Sequence, residues 1–251
     1  SMGSGTEVAK EASDIVILDD NINSISMAVL FGRTIFKNIR KFIIFQLTVN
    51  ICAMSLSIIG PFIGISTPVT VMQMLWINMI MDTLAGLAFA YEEPLKAFMN
   101  EKPKDKNTPI INKYMYEEVI LTGTYSAILC ILFLKLPFFK EMIRYDINDK
   151  YFLTAFFGLF VFIGIFNAFN TRTNRLNLLY RISNNKVFLA VFLMVGVLQV
   201  DFIYYGGTIF RTYGLTIKEF LFVLALAFTV IPFDLFRKYM FSKNHSSNNY
   251  I

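Results

Sequence analysis

Asn78 and Asp82 are the side chains whose chemistry and setting most demand a purpose in this sequence. They stand four residues apart in Val71 to Pro94, VMQMLWINMIMDTLAGLAFAYEEP, a stretch that is mostly apolar until its end. In a helix that spacing puts both on one face, one turn apart. A carboxylate at the centre of a bilayer costs about 2.5–3.5 kcal/mol on insertion scales, so it calls for a partner or a task. The amide and the carboxylate offer oxygens only, and Asn50, mid-depth in the preceding apolar run, offers one more. Calcium takes about six to eight oxygens at roughly 2.3–2.6 Å. The set is therefore incomplete alone and needs backbone carbonyls, water or ligands from other helices. The competing use of the same residues is structural: hydrogen bonds to neighbouring helices that stabilise packing.

Other polar residues point less clearly to chemistry. Asp201 and Asp234 lie near the ends of apolar runs, where they are expected to reach toward water. Asn167 and Asn170 are expected to bond between helices, and Glu92 and Glu93 to sit at the membrane boundary. His245, in the polar tail, is assigned no role. Cys52 and Cys130 both fall in apolar runs, which does not indicate a disulfide framework. The sequence shows no phosphate-cradling glycine loop, no His/Cys metal cluster and no nucleophile–base pair, so no catalytic residues are assigned.

The elements that must position Asn78 and Asp82 are membrane helices. Hydrophobic residues make up 55% of the 251 and charged ones only 16%, against roughly 25% in ordinary soluble domains. Mean hydropathy is +0.54. Several runs approach the roughly 20 apolar residues needed to cross a bilayer. The expected fold is an all-α polytopic membrane protein of six transmembrane helices, at about 22–60, 69–92, 116–136, 151–170, 187–205 and 217–236. The 27 phenylalanines suit lipid contact and packing. The net charge of +5 is not a nucleic-acid footprint, because the basic residues lie in loops between apolar runs and there set orientation.

Residues 1–21, SMGSGTEVAKEASDIVILDDN, read differently. Gly3 and Gly5 suggest a turn, Glu7 to Ser13 a short helix and Ile15 to Leu18 a buried strand, a short α/β remnant of a soluble domain too small for its own core. No cleavable signal peptide opens them. Asp20, Asn21, Asn23 and Ser24 are competent N-caps for a helix that meets no proline until Pro61. At 1.5 Å per residue it would be on the order of 55 Å long, more than a bilayer needs. Its first half carries Arg33, Lys37, Arg40 and Lys41, so it reads as a cytosolic stalk continuing into a membrane helix, against the alternative of an ordinary span with a basic flank. Six crossings place both termini on one side. That side also holds the basic loops at 96–113 and 172–186, a bias that favours cytosolic termini. Residues 242–251 form a polar tail expected to be flexible.

Three segments carry a resemblance to a known family. GSGTEVAKEASDIVILDDN at Gly3 to Asn21 resembles the last part of the phosphorylation domain of P-type cation pumps. FQLTVN at Phe45 to Asn50 and MLWINMIMDTLAGLA at Met74 to Ala88 are similar to the fifth and sixth membrane helices of P-type calcium-transporting ATPases, in the plasma-membrane, calmodulin-regulated branch and its bacterial relatives. Beyond Pro94 the likeness rests mainly on FNAFNTR at Phe166 to Arg172.

The resemblance implies that Asn78 and Asp82 are sixth-helix ligands of a single calcium site, with Asn50 keeping a fifth-helix asparagine. Where two-site pumps have a fifth-helix glutamate this chain has Ala53, and Met81 replaces a threonine just before the aspartate. Gly164 stands near the place of an eighth-helix ligand. These departures argue for one ion per cycle, Ca2+, with Mn2+ as another divalent candidate. The implied protein is the carboxy-terminal part of a pump in the plasma or inner membrane. Its partners would be the lipid bilayer and, in the complete pump, amino-terminal domains that use Mg2+ and ATP, together with four further helices. By itself the segment should not hydrolyse ATP. The reading from another class is a free-standing, non-enzymatic six-helix membrane protein that binds or regulates a partner.

Overall fold

The computed structural model describes residues 1–64, 68–105 and 108–242. The middle of the turn expected at Pro61 to Pro68, Lys106 in the following loop, and the tail beyond residue 242 lie outside the described residues.

Among the described residues the named elements are all helices. After a short α1 (Glu7–Glu11), helix α2 runs unbroken over Ile22–Ile59. Asn21 caps it, its side chain accepting from the Asn23 amide. Next come α3 (Val71–Leu75), a π-helical segment Trp76–Met81, and α4 (Asp82–Ala90), which together make one span. Then follow α5 (Lys113–Lys135), the short α6 (Pro137–Glu141), α7 (Lys150–Arg172), α8 (Lys186–Tyr205) and the short α9 (Gly207–Phe210). The last span divides into α10 (Ile217–Phe228) and α11 (Val230–Ser242). Pro232, which has no N–H to return to the carbonyl four residues earlier, accounts for that break. Among the described residues, six helical stretches are long and apolar enough to cross a membrane. This is a multi-pass membrane protein.

The amino-terminal residues depart from expectation in one respect. The turn and the short helix form, but Ile15 to Leu18 is not a buried strand. Met2 and Ile17 make a single parallel bridge, with Gly3 N–H donating to Ile17 O at 2.7 Å, while Ile15 and Leu18 are exposed. Four residues with one bridging neighbour cannot build a sheet, and no described residue covers their side chains.

Helix α7 is the most enclosed span, packed against α2, α5, α8, α10 and α11. Its apolar residues are buried on nearly every side, so it forms the axis of the bundle. Aromatic rings tie it to its neighbours. Phe152 stacks on Phe133 of α5 at 5.0 Å between centroids, and Phe169 meets Phe188 of α8 edge-on at 5.2 Å. Phe45 of α2, Phe89 of α4 and Phe192 of α8 extend the same core. Helices α2 and α5 approach closely at Gly123, where an added Cβ would lie 3.0 Å from Ile51 Cγ2. Cys52 and Cys130 face each other across this contact as free thiols, Sγ to Sγ 4.0 Å.

The basic half of α2 is not simply a solvated flank. Arg33 donates to the carbonyls of Phe98, Met99 and Glu101, Lys37 pairs with Glu101, and Arg40 donates to Pro109 O at 3.1 Å. Asn38 adds bonds to the carbonyls of Ala90 and Glu92. The loop after α4 is thus strapped along α2.

Candidate cation site

The span bearing Asn78 and Asp82 is fixed at both ends. At its start Thr70 and Gln73 form a reciprocal capping box, and Gln73 Nε2 also donates to Phe210 O at 2.7 Å. Half a turn beyond that first turn, Trp76 Nε1 donates to Gln199 Oε1 of α8 at 3.1 Å. At its far end Glu92 accepts from Asn185 Nδ2 at 2.8 Å and pairs with Arg172 at 3.2 Å and Lys41 at 3.5 Å. Arg172 also donates to the carbonyls of Leu178 and Tyr180. Glu92 is therefore the centre of a largely buried junction of α2, α4, α7 and α8, and not a boundary carboxylate in cheap contact with water. The sequence could not show this, because its partners come from three distant helices.

Between these fixed ends the backbone loosens its winding. Trp76–Met81 is π-helical, and the Asp82 N–H returns to Ile77 O, five residues back. Single wide turns inside α-helices occur often at functional positions. No signal for this turn was visible in the sequence, where apolar residues surround the helix on all sides and blur the period.

The wide turn contains Asn78 and ends at Asp82, and the two differ in their surroundings. Asp82 is buried, only 4% exposed. Its Oδ2 accepts from Gln46 Nε2 of α2 at 2.6 Å, while Oδ1 is buried with no hydrogen-bond partner among the described residues. Asn78 is exposed, beside the exposed Met79 and Ile80. Asn50 on α2 is exposed too, one turn before the exposed Met54. The structure thus brings Gln46 to Asp82, a residue that the sequence reading did not single out. It leaves Asn50 and Asn78 as amides on the outer surface of α2 and the π segment. Among the described residues no three His, Cys, Asp or Glu side chains converge as a metal cluster.

The neighbouring space is filled by carbon and sulfur. A Cβ at Gly164 would sit 3.4 Å from Met81 Cε and 4.0 Å from Val49 Cγ2, so the Met81 thioether occupies the gap between the π segment and α7. Ala53 is a partly buried member of the apolar core. Hydroxyl and amide side chains also border these places, Thr48, Ser126 and Asn167 beside Gly164 and Ser57 beside Ala53.

A second polar centre lies between α5 and α11. Asp234 is fully buried; it binds Arg237 Nε at 2.7 Å and Lys238 Nζ at 2.8 Å, and Arg237 Nη2 also pairs with Glu118 at 3.1 Å. Lys238 donates further to the carbonyls of Asn170 and Thr173. The expectation that Asp234 reaches toward water is overturned: two cations on its own helix neutralise it inside the bundle. Asn170 does bond between helices, Nδ2 donating to Val230 O at 3.1 Å, whereas Asn167 Nδ2 has no partner among the described residues.

Outside the spans, Asp20 takes the Ser4 backbone N–H at 3.0 Å, which holds its carboxyl below the usual range.

A bundle of apolar helices long enough to cross a membrane, with a buried carboxylate at a wide turn, defines a multi-pass membrane protein. The family described as cation transporting ATPase, C-terminus, matches residues 66–240, and this chain belongs to it. It is 37% identical to calcium-transporting ATPase 2 of Schizosaccharomyces pombe over 94% of its length and 18% of that protein's. To the putative plasma membrane-type calcium-transporting ATPase 13 of Arabidopsis thaliana it is 39% identical, over 80% of the chain and 20% of the relative. To human plasma membrane calcium-transporting ATPase 1 it is 36% identical, over 88% and 19%. The chain spans about one fifth of the length of these relatives.

Proposed function

We propose that this chain is the carboxy-terminal membrane portion of an ATP-driven calcium pump and supplies part of one intramembrane Ca2+ site. The observation that carries this reading is Asp82, a buried carboxylate with one oxygen held by Gln46 and the other unpartnered. An unpaired carboxylate oxygen is costly in a membrane interior unless a cation completes it. Asn78 and Asn50 add amide oxygens from the exposed side of the same two helices. Their position suits further helices packing over that face, which would bring the remaining ligands and remove both amides from lipid. Met81, Ala53 and Gly164 themselves bring no side-chain oxygen, which supports one ion per cycle. The names of the relatives support Ca2+ as that ion.

In this reading α2 carries movement from cytosolic domains, which bind ATP and Mg2+ in the complete pump, to Asp82 through the Gln46 contact. Both termini lie on the cytosolic side, with the basic loops strapped to α2. The test is ATP-driven 45Ca2+ uptake into vesicles holding the complete pump that contains this segment. Asp82→Asn abolishes uptake if the reading holds. Undiminished uptake by that variant removes Asp82 from the site.

A further inference from the structure

We propose that Gln46 is a positioning residue that holds Asp82 ready for the cation and so sets the pump's cation affinity, an inference that rests on the reading of Asp82 as an ion ligand. An ionised carboxylate only accepts hydrogen bonds, so the amide must present Nε2 to it; the 2.6 Å contact with Oδ2 is therefore the nitrogen's. The other end of the same amide, Oε1, is buried with no partner among the described residues, as is Asp82 Oδ1. Buried oxygens of this kind are normally satisfied, and here both belong to one bonded pair.

The arrangement has a simple chemical consequence. One carboxylate oxygen is tied, which fixes the rotation of the group, and the other is presented without competition. Outer partners that orient a ligating carboxylate commonly change metal affinity by about 10–100-fold when removed. Gln46 and Asn50 are i, i+4 on α2, one turn apart, whereas the wide turn separates the exposed Asn78 from the buried Asp82 on the facing span, against the single face expected from their spacing. Gln46 is thus the point where α2 reaches the carboxylate directly.

Other polar concentrations do not compete for this role. The Asp234 cluster is neutralised by its own arginine and lysine. The cavity of about 500 Å³ at the loop end is lined by Lys41, Arg172 and Arg181, paired with Glu92 or Glu93, and by Arg175, which lies over the Tyr180 ring.

The test measures ATP-driven 45Ca2+ uptake in vesicles by the complete pump, as a function of free Ca2+, for Gln46→Met, which keeps length and volume but has no amide. Half-saturating Ca2+ rises about tenfold while the maximal rate stays within about twofold, a KM-against-kcat split that mere loosening of the bundle would not give. Gln46→Asn, too short to span the contact, gives the same direction and serves if the methionine variant does not fold. Unchanged half-saturation in a folded variant, with Asp82→Asn inactive, overturns the role of Gln46 alone. A lowered maximal rate at unchanged half-saturation also overturns it. Full activity of Asp82→Asn overturns the site itself and this proposal with it.

Discussion

Where α5 meets α11, Glu118, Asp234, Arg237 and Lys238 bring two negative and two positive charges together inside the bundle. Where α2 meets the span of Asp82, one carboxylate has a single amide donor, and two further amides stand on the outer surface. Both regions put charge into an apolar interior, where an unpaired ion costs several kcal/mol. The first solves that cost within its own helices and becomes a fixed joint. The second leaves its carboxylate without a cation among the described residues and holds the span through Gln73 and Glu92 at its ends and through Trp76 at the start of the wide turn. The difference is one of charge: the joint gives each carboxylate a cation, whereas Asp82 has only an amide donor among the described residues.

The comparison is broken most forcefully at the joint. Arg237→Met leaves Glu118 without its cation and Asp234 with Lys238 and the Thr122 hydroxyl, and should cost about 3–5 kcal/mol of stability. Thermal unfolding of the purified protein in detergent checks this, and an unchanged melting profile would remove the distinction between joint and site. Asn78→Ala should do the converse. Because Asn78 is exposed, the melting profile stays within about 0.5 kcal/mol of the parent. Half-saturating Ca2+ for uptake by the complete pump then rises about tenfold or more, about 1.4 kcal/mol or above.

Much of this was legible in residue types. Asp82 declared itself as a carboxylate inside an apolar run, and the six spans followed from hydropathy and from breakers such as Pro61, Pro137 and Gly206. The pairing of Glu118 with Arg237 was not legible, because each lies near the end of its own run and reads as interfacial until the helices are packed. Gln46 was hidden for a similar reason. An amide in a membrane helix has many uses, and only the register of α2 against the π segment selects Asp82 as its partner. Asp234 reads as water-accessible from its place near the end of an apolar run, whereas α5 and α7 close over it.

Two smaller effects sharpen the contrast further. Gly123→Ala puts a methyl 3.0 Å from Ile51 Cγ2, forcing α5 from α2 at a cost of about 1–3 kcal/mol, read as a lowered melting midpoint. Trp76→Phe removes the bond to Gln199 and should cost about 0.6–1.7 kcal/mol, the range for hydrogen bonds between membrane helices. In uptake assays the tryptophan variant shifts half-saturating Ca2+ less than Gln46→Met does, because it disturbs an anchor one turn removed from the carboxylate.

Equilibrium 45Ca2+ binding to the purified complete pump, counted per polypeptide, puts the two regions side by side. The parent binds one Ca2+, Asp82→Asn binds none, and Glu118→Gln still binds one. Calcium retained at full stoichiometry by Asp82→Asn, or lost from a folded Glu118→Gln, would contradict the assignment of the cation to the incompletely bonded turn.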